Sequence, residues 1–567
     1  MPSFSDFLRR GYFPKELPPC FTTSSYAAAL TASGASPPPQ FEPASELAES
    51  KPVQFTLARP GMIRRSLAIP HPTAFYRTAK LIADHWKLIS EHCAASKLSL
   101  GAPIDDGTFR AIKMRDGFDA RPLRRAVDRA GARFLLRADL AEFYPTLYTH
   151  TIPWALHGKS TAKGNKERIT ANPKGLLGND LDYHCRRANS NHTKGLAIGP
   201  DTSYVIAESV LSACDCELAA KLPEVRGFRI YDDYELCCDT FEAAENALAT
   251  LQGVLALYEL GLNPRKTEIR QLPDRLGDDF VTFLNRFSFA TEPASQAEAL
   301  VAYFDSVFSY AALHPQEHVV TYAAGRFKRE AIAPANWEML TGLLLQAAQF
   351  EPSALQNVAE ILDAGFCKGL PVAKPLVCRA ANAIICQHAR CGHSSEVAWA
   401  LWLLLRFRLT VEADAVTALA SMEDPVVALL TLEAESKDIL SATLDKSQWQ
   451  ARMTTQDLRE EHWLLAYEAF QQGWLAGAGG TDHVAADVEF DWLRRQQVSF
   501  YEPVEEAKMK KPAPKKATVW HAPTTLVGTG AEELSESNGE DEPPATSEPE
   551  DVGADEFAAK SAFWFYF

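Results

Sequence analysis

The stretch "RIYDDYELCC", Arg229 to Cys238, sets two aspartates between runs that read as short strands. Phe228 to Tyr231 is β-branched and aromatic, while Tyr234, Leu236 and Cys238 alternate with Glu235 and Cys237. The pattern predicts a β-hairpin with Asp232-Asp233 as its two-residue turn. Aspartate tolerates a turn, but Asn-Gly or Asp-Gly would turn the chain at lower cost. Two unit charges about 4 Å apart repel by roughly 4 kcal/mol at an effective dielectric near 20. A divalent cation would turn that repulsion into attraction, since hard cations take carboxylate oxygens. Such a reading needs a third carboxylate from elsewhere in the chain.

"RFLLRADLAEFYPTLYTH" supplies one. Phe134 to Ala138 reads as a buried strand ending at Asp139, and an acid there can share a metal with the aspartate turn. Asp139 also suits a helix N-cap before "LAEFY". Tyr144 follows, where a ring can sit under a nucleotide sugar and exclude a 2′-hydroxyl. In "TKGLAIGPDTSYVIAESVLSACDCELAA", Gly195 and Gly199 bracket a turn, and Pro200 to Ser203 signals a helix start. Gly199 would let the backbone approach a base pair or phosphate closely. "TFEAAENALATLQGVLALYELGLNPRKTEI" reads as an amphipathic helix, a turn at Gly261 to Pro264, and then Lys266, placed to reach a triphosphate. An ordinary surface lysine is the bland alternative.

The chain has 567 residues, enough for two or three domains, and 46% apolar with 23% charged content suits a globular protein. It contains no apolar run long enough to span a membrane, and the opening residues lack a signal core. Eleven sparse cysteines suit reduced thiols, so a cytoplasmic location is expected. The net charge of −16 hides an asymmetry. Lys51 to Pro200 holds 25 Lys and Arg against 12 Asp and Glu, whereas Ala531 to Glu556 holds eleven acids and no base. A basic lobe suits a phosphate backbone.

Residues 1–50 read as an N-terminal arm passing through the linker-like "TASGASPPPQ". Residues 51–295 mix strand and helix patterns. Residues 296–502 read as helical, as in "NWEMLTGLLLQAAQF" and "SEVAWALWLLLRFRL", with stacked helix pairs expected. From 503 to 567 the composition predicts a disordered acidic tail ending in "FWFYF", Phe563 to Phe567. Five aromatics on such a leash suit a groove in the helical region, in a second copy forming a homo-oligomer, or in a separate protein partner. "CQHARCGH" offers Cys386, His388, Cys391 and His393, but its spacing is unlike the usual zinc arrangements, and buried thiols with helix-end histidines are expected instead.

Taken in order, "RADLAEFYPTLY", "GLAIGPDTSYVIAE", "IYDDYEL" and "GLNPRKTEI" resemble the palm of a reverse transcriptase. The resemblance covers about residues 70–290. "HGKSTAKG" through "LGNDLDYHCRRANSNHTKG" resembles the connection between that family's first two palm motifs. "FLRRGYFPKELPPCFTT", "GHSSEVAWALW" and "HWLLAYEAFQQGWL" are similar to accessory regions of bacterial abortive-infection and "unknown group" antiphage enzymes. The resemblance implies an α+β fold: right-hand polymerase palm and fingers, then a large all-α C-terminal domain and a disordered tail. It implies a DNA polymerase, RNA-directed, protein-primed or template-independent, that uses deoxynucleoside triphosphates, with an RNA template, a DNA product or both as its nucleic-acid partners. Asp139 and Asp232 would bridge two Mg²⁺ ions (Mn²⁺ also fits), with Asp233 assisting. The family's hairpin usually reads Tyr-x-Asp-Asp; here Ile230 takes the tyrosine position and Tyr231 takes x. Ile198 stands where retroviral enzymes carry glutamine. A nucleic-acid-binding effector scaffold without synthesis is the alternative, and an RNA polymerase a third, which the Tyr144 ring disfavours.

Overall fold

The hairpin forms, but its turn is displaced by one residue. In the computed structural model, which describes residues 1–61, 64–507 and 509, the strands in chain order are β1 (Val53–Leu57), β2 (Arg65–Ile69), β3 (Pro103–Asp105), β4 (Ile112–Met114), β5 (Phe134–Asp139), β6 (Arg226–Ile230), β7 (Asp233–Cys238) and β8 (Glu268–Gln271). Ile230 pairs with Asp233, so the two turn residues are Tyr231 and Asp232, and Asp233 opens β7. Tyr231 takes the strained half of the turn at φ +50°.

β5 to β8 form one antiparallel sheet in the order β6-β7-β5-β8. The helix Asp201–Lys221 precedes β6, and the helix Phe241–Leu257 joins β7 to β8. This is the strand–helix–strand–strand–helix–strand arrangement of ferredoxin-like sheets, a scaffold that by itself does not fix a function. One face is apolar: Leu136, Ala138, Tyr234 and Leu236 are buried, and the Tyr234 hydroxyl donates to Asp215 Oδ1 of the first helix at 2.8 Å. The fully buried Arg229 of β6 is held by Glu208 and Asp215 of that helix, each at 2.7 Å. The opposite face is charged. The register places Asp139 and Arg137 of β5 directly across from Asp233 and Glu235 of β7.

The first fifty residues are not a detached arm. Phe7, Leu8, Tyr12 and Tyr26 have no solvent exposure. Tyr12 stacks on Phe75 with ring centroids 4.0 Å apart and donates to the Pro70 carbonyl at 2.6 Å. Thr22 N–H donates to the Phe500 carbonyl at 3.0 Å, and Phe21 bridges to Tyr501. Apolar anchors at both ends of the folded chain thus make one packed unit. The "TASGASPPPQ" stretch loops over the surface between them.

Beyond residue 293 the chain is helical, as its three- and four-residue apolar spacing predicts. The helices Lys374–His388 and Ser394–Arg406 pack together, and the second packs on Pro425–Ser436. Trp402, Trp449 and Trp463 of this helical part are fully buried. Packing does not break at residue 295: Thr56 of β1 bonds Ser394 Oγ, and Arg64 makes a two-pronged bond with Glu396. Nor does order end at 502, since Val504 is buried and donates to Glu433 at 3.0 Å. The aromatic terminus lies outside the described residues. Among the described residues no helix is long and apolar enough to cross a membrane.

Candidate active site

Asp139 closes β5 and Asp233 opens β7, so the two acids are cross-strand neighbours on one face. Like charges directly opposite one another destabilise a sheet. Asp232 joins them from the turn, its carbonyl accepting Leu140 N–H at 3.1 Å. Burial raises the Asp232 carboxyl above the usual carboxylate range, and the Asp139 charge adds to the rise. Asp233 is pushed up to about 7 by burial and by its two neighbours, against the lowering pull of Arg121, 3.9 Å away.

Lys266 comes onto this cluster directly: its Nζ lies 2.9 Å from Asp139 Oδ2. The turn after Gly261 accounts for the placement. Asn263 N–H donates to the Asp139 carbonyl at 2.7 Å, its side-chain amide reaches Asp139 Oδ1 at 3.3 Å, and its own side-chain oxygen accepts Arg265 N–H at 3.1 Å. Asn263 was not singled out in the sequence, although an asparagine before proline in a turn is a signal for such a self-bonded bend.

Tyr144 sits on the short helix Phe143–Thr146, beside Tyr231 and Asp232, and burial keeps its phenol protonated well past the usual range. Tyr231 packs with its ring centroid 5.3 Å from that of Tyr204 and 5.9 Å from that of Phe118. Arg65 of β2 also faces Asp232 and Tyr144; burial lowers its pKa, Arg59 adds to that, and Asp232 opposes it. Nothing in the local sequence of β2 marks Arg65, because only the fold brings the β1–β2 hairpin to this cluster.

Gly199 departs from expectation. Its φ of +125° is one that side-chain-bearing residues rarely adopt, and a Cβ there would come within 2.5 Å of Pro14 Cγ. The space beside its Cα is taken by the N-terminal segment, so the close approach seen here is the chain's own. Arg110 fixes the same bend by bonding the Gly199 carbonyl at 3.0 Å and Asp201 at 2.6 Å.

The donor chemistry of the three aspartates fits Mg²⁺, which takes oxygen ligands from one or two carboxylates at a time. Their oxygens are not closed into a single cage. Among the described residues, the one group of three such donors with all ligand atoms within 4.8 Å of one another is His388, His393 and Glu396. There Arg64 already neutralises Glu396, the two histidines share a 2.9 Å hydrogen bond, and Cys386 and Cys391 do not join.

No protein-family model matches the chain, and no curated protein does. Among solved structures it is similar to telomerase from Candida albicans, determined in complex with a TWJ fragment of telomeric RNA. The match has 10% identity and a TM-score of 0.28, and covers 58% of this chain and 64% of the telomerase chain, less than two thirds of its length.

Proposed function

We propose that this chain is a nucleotidyltransferase that polymerises deoxynucleotides, RNA-directed or protein-primed, at the Asp139–Asp232–Asp233 cluster. The observation that carries the reading is the convergence of three carboxylates, from a strand end, a turn and a strand start, with two of them raised above the normal carboxylate range. Like charge gathered in one place is costly for folding and useful for chemistry. Asp139 and Asp232 would hold two Mg²⁺ ions, with Mn²⁺ as a substitute, and Asp233 would assist. When bound, such ions lower the pKa of an attacking hydroxyl and neutralise a departing pyrophosphate.

The remaining roles belong to the chain's own groups. Lys266, 2.9 Å from Asp139, brings a mobile cation and proton donor to the triphosphate side. Arg65 adds a second, less hydrated charge. Tyr144 walls the sugar side and favours deoxynucleotides. A role in antiphage defence rests on the resemblance of the N-terminal and helical segments to abortive-infection enzymes.

The test is incorporation of labelled deoxynucleotides by the purified chain with Mg²⁺, with and without RNA template, beside an Asp232→Asn/Asp233→Asn variant. Losing one carboxylate charge about 4 Å from a cation forgoes about 4 kcal/mol, or about a thousandfold in rate. The double variant is expected to lose at least that much while melting no earlier than the wild type. Equal incorporation by both proteins sinks the proposal, and a wild type that binds nucleic acid but never extends it supports the scaffold alternative.

A further inference from the structure

The connection between Tyr144 and Gly195 folds into three helices, Thr151–His157, Lys159–Gly164 and Leu177–Arg187, around a cavity of about 520 Å³. That volume lies within the range of small-ligand and nucleotide sites. Three aromatic rings, Tyr148, Trp154 and Tyr183, share its lining with Lys163, Lys166 and Arg168. The acid in the lining, Asp182, is already engaged by His150 Nδ1 at 2.8 Å and Arg186 Nε at 3.3 Å. Lys163 and Lys166 form no ion pair among the described residues. Arg168 stacks at 4.2 Å over Tyr183, and its Nη1, shielded from solvent, has no hydrogen-bond partner. In a chain of net charge −16, a cavity with surplus cations and aromatic walls is built for an anion that also carries a flat ring.

We propose that this cavity binds one phosphorylated nucleotide of a single-stranded nucleic acid, with its base against the aromatic wall and its phosphate on Lys163, Lys166 and Arg168. The inference rests on the nucleic-acid part of the proposed function and not on synthesis. The cavity is tied to the acid cluster through one connector. Tyr148 bridges to Lys194, Gly195 N–H donates to the Leu147 carbonyl at 3.0 Å, and Leu196 N–H donates to the Tyr144 carbonyl at 2.9 Å. A strand anchored here is therefore held on the same rigid segment that carries Tyr144. Lys159 stiffens the wall further, lying 4.1 Å over the Trp154 ring and donating to the Leu257 carbonyl at 3.0 Å.

Fluorescence anisotropy tests the proposal, using labelled 20-nucleotide RNA and DNA single strands with the full-length protein across a salt series. Lys163→Glu/Lys166→Glu replaces two exposed side chains and is expected to weaken binding at least tenfold near 0.1 M salt. It should also flatten the slope of log affinity against log salt by about 0.7, the share of one phosphate contact on a single strand. Trp154→Ala should weaken binding by about tenfold with the slope unchanged, since stacking is not a counterion effect. A larger loss on RNA assigns the pocket to RNA, and a larger loss on DNA assigns it to DNA. Unchanged affinity and slope for both strands in the lysine variant overturn the site. Repeating the series in the Asp232→Asn/Asp233→Asn background separates the two proposals. A pocket effect with no wild-type incorporation rejects synthesis alone, and incorporation without a pocket effect rejects the pocket alone.

Discussion

Asp233 and Glu235 stand two residues apart on the same face of β7, and the fold treats them in opposite ways. Burial alone would raise Glu235, but hydrogen bonds and charge from Arg125, with help from Arg121, bring it down to about 2. Arg129 adds a bond at 3.1 Å, so the carboxylate is enclosed by guanidinium groups. Asp233 has one arginine, at 3.9 Å, and two aspartates beside it, and rises to about 7. One acid has its compensation built into the protein; the other waits for compensation from outside. A buried acid ringed by arginines holds a sheet to a helix, here β7 to the helix Ala120–Asp128. A group of acids that raise one another is a place where a ligand or ion can do work.

The sharpest way to break this contrast is to neutralise Glu235. Glu235→Gln leaves Arg125 and Arg129 buried without their carboxylate, which costs about 3–5 kcal/mol. Chemical denaturation should show that loss, whereas the Asp232→Asn/Asp233→Asn protein should denature no earlier than wild type. If Glu235→Gln is as stable as wild type, the arginine enclosure is not what holds this face, and the distinction between the two acids fails.

A smaller effect is expected from Tyr144→Ala. The ring lies beside Asp232 and Tyr231; if it walls the sugar side as proposed, its removal should open room for a 2′-hydroxyl. Competition between deoxy- and ribonucleotides should shift toward ribonucleotides by about tenfold or more, the scale on which a packed wall discriminates single groups. An unchanged ratio would leave the ring a packing residue of the fold.

The local signals in the sequence carried unequal distances. Asp139, Asp232 and Lys266 sit at a strand end and two turns, which turn chemistry and apolar runs locate without any knowledge of the rest. The register of the hairpin was legible only to within one residue, because Tyr231 can take the left-handed turn position that the pattern assigned to aspartate. Gly199 signals a close backbone approach, yet the atom that a Cβ there would meet belongs to Pro14, and no local pattern names a partner that far away. Arg65 and the burial of the first fifty residues were hidden for the same reason: each depends on contacts between distant segments. The cavity at Tyr148 and Trp154 was legible as basic composition and not as a site, since three helices must close before its side chains share a wall.

The smallest effect is thermal, and it probes the Asp233 side of the contrast without any assay of activity. A carboxyl raised from an unfolded value near 3.9 to about 7 binds its proton more tightly when folded. Its contribution to stability is therefore full below about pH 4 and is lost as pH rises through about 7. Removing the charge with Asp233→Asn should raise the melting temperature at pH 8 in the absence of divalent ions, and the gap should close near pH 4. The Asp233 side chain is 41% exposed, so water screens much of the repulsion, and the gap should be at most about 1–2 °C. Mg²⁺ at pH 8 should then raise the melting temperature of the wild type more than that of the variant, because only the wild type keeps all three carboxylates for an ion to bridge. A gap that persists at pH 4, or an equal response of both proteins to Mg²⁺, would show that the acid cluster is not short of positive charge, and Asp233 would then belong with Glu235 as a structural residue.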